Sequence, residues 1–477
     1  MMPERATDIA GVSSLRRRFI NSGAGPSLVP VDIHHATHLA MVDPRSAFWT
    51  LVRKSKMGDL LTESGLVASY MEKSADFTSE IKNLRFNLQP SAVYFNPTDR
   101  CNLDCTYCYI PSEMRRSGAH MSQEKLHEAL TILKEYFSKT MPSDRRPRII
   151  FHGAEPLMNF KVVQSGIETF KDDFIFGVQT NATLLDDDIL QFLTSRHVSI
   201  GLSLDGPTAQ ITHLTRKSFS GNLPVHDAVL SAIDRLRGTE GFSVIVTVTQ
   251  ENVDSLSSMV EFLHEREVPS CLLNMTRCTL PESRKVRVDD TLAAAPFIAA
   301  LERSHALYKK TGRKLVVANF ANILLTILAP TARRLMCDIS PCGGGRAFFA
   351  LSANGDLYPC SEFIGLKNFR GGNIFSGSIE QAMTSDAFNK VTQRDVDRFE
   401  PCGSCAIRHF CGSPCPAEAH EMNGGMDRIG AFCEFYEEQV RYAFRLIADN
   451  KANDFLWNGW DDGIETVFDV AESMTTV

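Results

Sequence analysis

The run Ala92-Val-Tyr-Phe95-Asn-Pro-Thr-Asp-Arg-Cys101-Asn-Leu-Asp-Cys105-Thr-Tyr-Cys108-Tyr-Ile-Pro111 decides how the chain is read. It starts as an apolar strand and breaks into a loop with three cysteines spaced C-x3-C-x2-C. Three thiolates this close can ligate three irons of a [4Fe–4S] cubane and leave the fourth iron without a protein ligand. A structural cluster normally takes four cysteines, so an open iron implies that something else binds there. A zinc knuckle fits less well, because zinc sites usually show paired C-x2-C units and no fourth ligand stands nearby.

Outward from this loop, strand and helix patterns alternate six times. Strand-like runs are 92–95, 148–152, 174–179, 198–204, 243–249 and 271–274. Amphipathic helical runs at 123–137, 160–170, 187–194, 225–236 and 254–266 separate them, with a longer one near 291–310. Repeated β-then-α units imply parallel strands with right-handed crossovers. Six units are too few for an eight-fold barrel, so the expected fold is α/β, a partial (β/α)6 TIM-like barrel. Every unusual motif falls at a strand end: the cysteine loop, Gly153-Ala-Glu-Pro156, Thr180-Asn181 and Ser203-Leu-Asp-Gly-Pro207. In barrels of this topology the C-terminal rim carries the chemistry.

At 477 residues the chain calls for two or three domains. A net charge of -7 argues against nucleic-acid or membrane-surface partners. No apolar run approaches the roughly 18 residues of a membrane span, and Arg16-Arg-Arg18 lies in a region without an apolar signal core. A cytoplasmic location is expected. In that compartment thirteen cysteines do not form a disulfide framework. Three lie in the first loop and eight between Cys337 and Cys433, which points to metal. Cys271 and Cys278 read as an ordinary buried cysteine and a loop cysteine.

The first loop and the strand-end motifs resemble the radical S-adenosylmethionine (SAM) family over about residues 90–310. The resemblance implies that Cys101, Cys105 and Cys108 hold a cluster whose open iron SAM chelates. Tyr107 matches the aromatic that covers the cluster near adenine. Gly153, Ala154 and Glu155 match a Gly-Gly-Glu-Pro segment whose backbone binds the SAM amino group, with alanine in place of the second glycine. Thr180, Asn181 and Ser203 match polar positions that hold the methionyl and ribose groups. Arg216 is the expected partner of the SAM carboxylate, although its spacing is about one residue longer than the family's. Asp205 is expected to orient its loop.

The C-terminal cysteines, at 337, 342, 360, 402, 405, 411, 415 and 433, resemble the SPASM domain over about residues 335–437. By that family's interleaved pattern Cys337, Cys342, Cys360 and Cys415 hold one cubane, and Cys402, Cys405, Cys411 and Cys433 hold another. Two zinc ribbons are the alternative. Gly355 reads as a hairpin turn between cluster-bearing strands, and Pro401, Pro414 and Pro416 as stiffeners of the loops. The expected organisation is an N-terminal extension (1–88), the barrel (89–325), the SPASM domain (326–440) and a tail (441–477). The extension, Gly/Ser/Arg-rich over its first 30 residues, should continue with a short strand and two helical runs. It would serve as a cap or a peptide-docking module. His34, His35 and His38 read as a solvated face rather than a metal site.

Together the resemblances imply three [4Fe–4S] clusters, SAM, a precursor-peptide substrate and a flavodoxin- or ferredoxin-type electron donor. Fully ligated auxiliary clusters suit an oxidative reaction, first of all a C–S or C–C crosslink in a ribosomally made peptide. Sulfatase-type maturases, which make formylglycine, carry an Asp where Ser361 follows Cys360. Glu362 is next along, but a strand would turn it to the other face, so formylglycine formation ranks second and Glu362 is a weak candidate base. Epimerisation, small-molecule radical chemistry and a non-enzymatic iron–sulfur carrier remain alternatives. A cobalamin-dependent methyltransferase would need a larger added domain than residues 1–88.

Overall fold

The computed structural model describes residues 28–56 and 64–468, leaving aside positions 222, 240, 413, 414 and 465. Leu60, Leu61, Pro414, Arg16–Arg18 and nearly all of the Gly/Ser/Arg-rich start lie outside the described residues.

The described chain opens with a small antiparallel sheet: β1 (Val29–Val31), β2 (His38–Val42) and β3 (Trp49–Arg53). One helix, Ser64–Phe86, follows. The expected single strand and two helical runs are thus replaced by three strands and one helix among the described residues. The reason lies in Trp49-Thr-Leu-Val52, whose aromatic and β-branched residues suit a pleated surface and are all buried here.

The main sheet starts with β4 (Ala92–Phe95), β5 (Arg148–Phe151), β6 (Ile175–Thr180), β7 (Ser199–Ser203), β8 (Phe242–Val248) and β9 (Ser270–Met275). These six are parallel neighbours in chain order, as a partial barrel requires, and each matches its expected run to within a residue. β10 (Val316–Val317) extends the sheet beyond β9. On the other side β11 (Phe348–Leu351) pairs parallel to β4, followed by antiparallel β12 (Asp356–Tyr358) and β13 (Gly372–Asn373). Gly355, at φ +84°, turns the β11–β12 hairpin. One sheet therefore runs from the barrel into the cysteine-rich C-terminal part.

Helices between the strands cover the sheet's outer face. Two of them start on side-chain caps: Ser122 accepts from Lys125 N ahead of Gln123–Thr140, and Asp186 from Ile189 N ahead of Asp187–Ser195. The strand residues that meet these helices, such as Val93, Phe95, Ile149, Phe151, Val244 and Val246, are fully buried. The alternate residues form a second, half-buried row that includes Tyr94, Gln179, Ser203, Thr247 and Asn274. Register aligns them: Tyr94 lies opposite Ile150, Gln179 opposite Gly201, Ser203 opposite Ile245 and Thr247 opposite Asn274. A parallel sheet covered on both faces would be apolar on both. Here the inner row is half-buried and mixes Ile150 and Ile245 with polar residues, so amide and hydroxyl groups line the barrel interior.

The N-terminal sheet is fused to the rest of the core. Trp49 is completely buried, donates from Nε1 to Ile327 O at 2.8 Å and meets the edge of Phe444 at 5.5 Å. Its two neighbours here, helices Ala318–Leu328 and Cys433–Ala448, run through the boundaries expected near residues 325 and 440. No helix among the described residues is long and apolar enough to cross a membrane.

Candidate active site

The first cysteine loop is tied down by its own neighbours. Cys101 N donates to Arg115 O at 2.9 Å, and Arg115 returns along the loop to Ile110 O (3.0 Å) and Asp104 Oδ1 (2.5 Å). Asp104 N and Thr106 N donate to Lys217 O and Thr215 O, which pins the loop to the segment after β7. All three thiols are free. Burial pushes the Cys105 thiol up to about 12, opposed by Arg216 and reinforced by Cys108. Buried thiols that would repel one another as thiolates suit a cationic iron core.

At the tip of β5, Gly153 has φ +98°, and a Cβ there would lie 2.1 Å from the Asn96 side chain. Only glycine fits. Ala154 is not among the residues with positive φ, so alanine is at ease where the family has its second glycine. Glu155 is completely buried and its carboxylate is filled by donors. Oε1 accepts from Leu157 N (3.1 Å) and Thr180 Oγ1 (2.8 Å), while Oε2 accepts from Asn181 N (2.8 Å). Burial pushes this carboxyl up to about 7, and those three hydrogen bonds pull against it. Glu155 therefore acts as a strut between the β5 and β6 tips. Asn181 reaches Asn102 Oδ1 at 2.9 Å, and its Nδ2 stands 3.8 Å from Cys101 Sγ, which links the β6 tip to the cysteine loop.

Asp205 is the hub of the β7 tip. Its Oδ2 accepts from Tyr107 OH (2.6 Å) and Thr215 Oγ1 (2.9 Å) and pairs with Arg216 Nε (3.0 Å), while Oδ1 accepts from Thr247 N (3.0 Å). Asp205 thus ties the β7 tip to β8 and fixes the aromatic ahead of Cys108. Arg216, the expected partner of a ligand carboxylate, has its Nε within 3.0 Å of Asp205 without a hydrogen bond to it, and its Nη1 lies 4.0 Å from Cys105 Sγ. Burial is the largest influence and opposes its charge, but Asp205, Tyr107 and Cys105 together outweigh it and hold the guanidinium charged. Ser203 ends β7 in the half-buried inner row.

The C-terminal cysteines fall into two neighbourhoods. Burial lifts the Cys360 thiol well above its ordinary range, and Cys337, Glu362, Cys342 and Cys415 push the same way. Cys433 is pushed up to about 12 by burial, then by Glu434, Glu437, Cys402 and Cys405. Cys411 bears on Tyr436, one turn into the helix that Cys433 opens. The residues present fit two interleaved four-cysteine sets. Among the described residues no three His, Cys, Asp or Glu side chains converge on a single-ion site. His35 and His34 instead face Asp449 (3.0 Å) and Glu438 (3.7 Å).

One expectation needs correction. Ser361–Phe363 is a turn of 3₁₀ helix, not a strand. Such a turn rotates successive side chains by about a third of a circle, so the two-face argument against Glu362 fails. Ser361 is buried. Glu362 Oε2 accepts from Thr279 Oγ1 at 3.1 Å, just past the end of β9. Burial pushes the Glu362 carboxyl up to about 7, with Arg277 and Thr279 pulling it down, and the same carboxyl bears on Cys108, Tyr109 and Cys360. Glu362 lies at the seam between the first loop and the C-terminal cysteines.

Other residues of this seam carried no motif. Tyr109 OH lies 3.0 Å from His152 Nδ1 and the two rings stack, while Tyr94 meets His152 edge-on at 5.4 Å. Burial drives His152 down to about 4, so the ring is neutral. Arg277 pairs with Asp338 at 2.9 Å beside Cys337. Their only sequence signal was position: each lies in a strand's inner row, just past a strand tip, or beside a cysteine.

Comparison with known proteins bears on all of this. The Radical SAM superfamily profile matches residues 95–263, and that of the SPASM iron-sulfur cluster-binding domain matches 342–406. An uncharacterized protein of Archaeoglobus fulgidus is 38% identical over 413 residues, 87% of this chain and 93% of its own. A cysteine-type anaerobic sulfatase-maturating enzyme of Clostridium perfringens is 23% identical over 392 residues, 77% of this chain and 99% of its own. Among solved structures, anSMEcpe with bound AdoMet and Cp18Cys peptide superposes with TM-score 0.66 at 21% identity, covering 76% of this chain and 99% of that one. Streptococcus suis SuiB bound to precursor peptide SuiA gives TM-score 0.54 at 12% identity, covering 82% and 95%.

Proposed function

From the premise that this chain belongs to the radical SAM superfamily and carries a SPASM domain, we propose that it is a maturase that oxidatively modifies a peptide. The carrying observation is the join between the barrel and the C-terminal region, where β11 pairs with β4 and Glu362, two residues past Cys360, is bonded to Thr279 beyond the end of β9. When bound, the first cluster and SAM supply a 5′-deoxyadenosyl radical able to take hydrogen from an unactivated C–H bond. Cys101, Cys105 and Cys108 would hold that cluster, and the two C-terminal sets would hold the auxiliary ones. The chain's own residues do the positioning. Glu155 sets the β5 and β6 tips, Asp205 fixes Tyr107 and Arg216, and the neutral inner row offers amide and hydroxyl groups to a substrate backbone. Glu362, half-buried and bonded to Thr279, is placed to accept, in its ionised form, the proton that leaves with the electron.

The first reading is a C–S or C–C crosslink in a ribosomally made peptide. Formylglycine formation stands level with it, because Glu362 now faces the seam and one relative is named as a sulfatase-maturating enzyme. A peptide substrate is further supported by anSMEcpe and SuiB, each of which has been solved with a peptide bound. Anaerobic turnover with reductant, SAM and candidate peptides separates the two readings. A crosslink removes one hydrogen from each of the two residues joined, and formylglycine formation removes two from a single serine or, from cysteine, two hydrogens followed by exchange of sulfur for the oxygen of water; only the aldehyde reacts with a hydrazide. Only the crosslink blocks fragmentation across a peptide segment. A product with neither mark overturns both.

A further inference from the structure

The helix Ser64–Phe86 ends far from the cysteine-rich region in sequence, yet it delivers Arg85 into it. Arg85 is buried. Its Nε donates to Ser340 O at 3.1 Å, in the loop between Cys337 and Cys342. Its Nη2 donates to Asp395 Oδ1 at 2.6 Å and Asp397 Oδ2 at 2.7 Å, in the approach to Cys402. Asp397 then passes the contact on: its Oδ1 accepts from Arg408 Nε at 2.5 Å, and Arg408 Nη1 donates to Cys405 O at 3.0 Å. The backbone of the same residue is used as well. Arg346 donates to Arg85 O and to Pro341 O, and its Nε donates to Cys342 O at 3.0 Å. A direct link closes the arrangement, from Val396 N to Ser340 Oγ at 2.9 Å.

A planar guanidinium holds several acceptors in fixed directions, which a lysine ammonium does not. Removing it would leave Asp395, itself mostly buried, without its counter-charge, and broken buried pairs are the damaging kind. We infer that Arg85 is a positioning residue for the two auxiliary iron–sulfur sites, and that the N-terminal module works through it as a brace on both cysteine loops. This rests on the reading that the eight C-terminal cysteines hold two cubanes. It also gives the module a role other than peptide docking, since the side chain is fully engaged within the chain.

The test uses the full chain, reconstituted anaerobically, with iron analysis and electron paramagnetic resonance as readouts. Wild type should carry about twelve irons, and Arg85→Gln about eight or fewer. The auxiliary signals should be lost or broadened, while the signal that responds to SAM and peptide-independent SAM cleavage stay within about two-fold of wild type. Arg85→Lys should recover only part of the loss. The double variant Asp395→Asn, Asp397→Asn attacks the same contact from the other side and should reproduce the loss; it decides the matter if Arg85→Gln is insoluble. Full iron and unaltered auxiliary spectra in the decisive variant would overturn the brace. A wild type with only about four irons would instead overturn the cluster reading itself.

Discussion

The two cysteine regions contain the same ligand type and are held in opposite ways. The first loop spans eight residues and is anchored within its own segment by Arg115 and Asp104, and from far along the chain by Thr215 and Lys217. The C-terminal cysteines are spread from Cys337 to Cys433, and their loops are fixed by Arg85, Arg277 and Arg346. The first site thus keeps its three ligands on one strand tip with part of its support local, whereas the second draws its ligands together from across about a hundred residues by tertiary contacts. Local building makes a site robust to distant change, whereas tertiary assembly makes it depend on how the whole chain packs.

The largest effect should come from the local site. Replacing Cys101, Cys105 and Cys108 with alanine should abolish SAM cleavage and remove roughly a third of the iron, leaving the auxiliary spectra intact. Loss of auxiliary signals in that variant would mean that the two regions are not separable. Next, Glu362→Gln should lower product formation by about a hundred-fold or more while 5′-deoxyadenosine still forms. Equal loss of both would place Glu362 in SAM binding instead.

Two stability changes probe how each region is held. Glu155→Ala leaves the N–H groups of Leu157 and Asn181 without an acceptor and should cost about 2–4 kcal/mol in chemical unfolding, together with weaker SAM binding. Trp49→Ala empties a buried aromatic site between the N-terminal sheet and two C-terminal helices, and should cost about 3–5 kcal/mol. If Trp49→Ala unfolds only an independent N-terminal unit, the fused core described here is wrong. The smallest effect belongs to His35→Ala, which loses a partly exposed pair with Asp449 and should shift stability by less than about 1 kcal/mol.

The same contrast explains what the sequence revealed. All six barrel strands were legible, because a short apolar run bounded by motif residues fixes a parallel strand with little outside help. So were the first cysteine spacing and the strand-tip motifs, each contained within a few neighbouring residues. Three things were not legible. The pairing of Arg216 with Asp205 depends on how the chain returns after β7. The orientation of Glu362 turned on whether Ser361–Phe363 is a strand or a 3₁₀ turn, which three residues cannot announce. The sheet β1–β3 was misread because Trp49 to Val52 is stabilised by packing on helices near residues 320 and 440, which local propensity does not see.

The central claim is oxidative radical modification of a peptide. Its most direct test is anaerobic turnover with SAM, a low-potential reductant and a cognate peptide, followed by mass spectrometry of both products. The account predicts one 5′-deoxyadenosine per modified peptide and a peptide lighter by two hydrogens or, for an aldehyde made from cysteine, by two hydrogens with sulfur replaced by oxygen. A peptide of unchanged mass, or one heavier by a methyl group, formed at the same rate as 5′-deoxyadenosine, would contradict it.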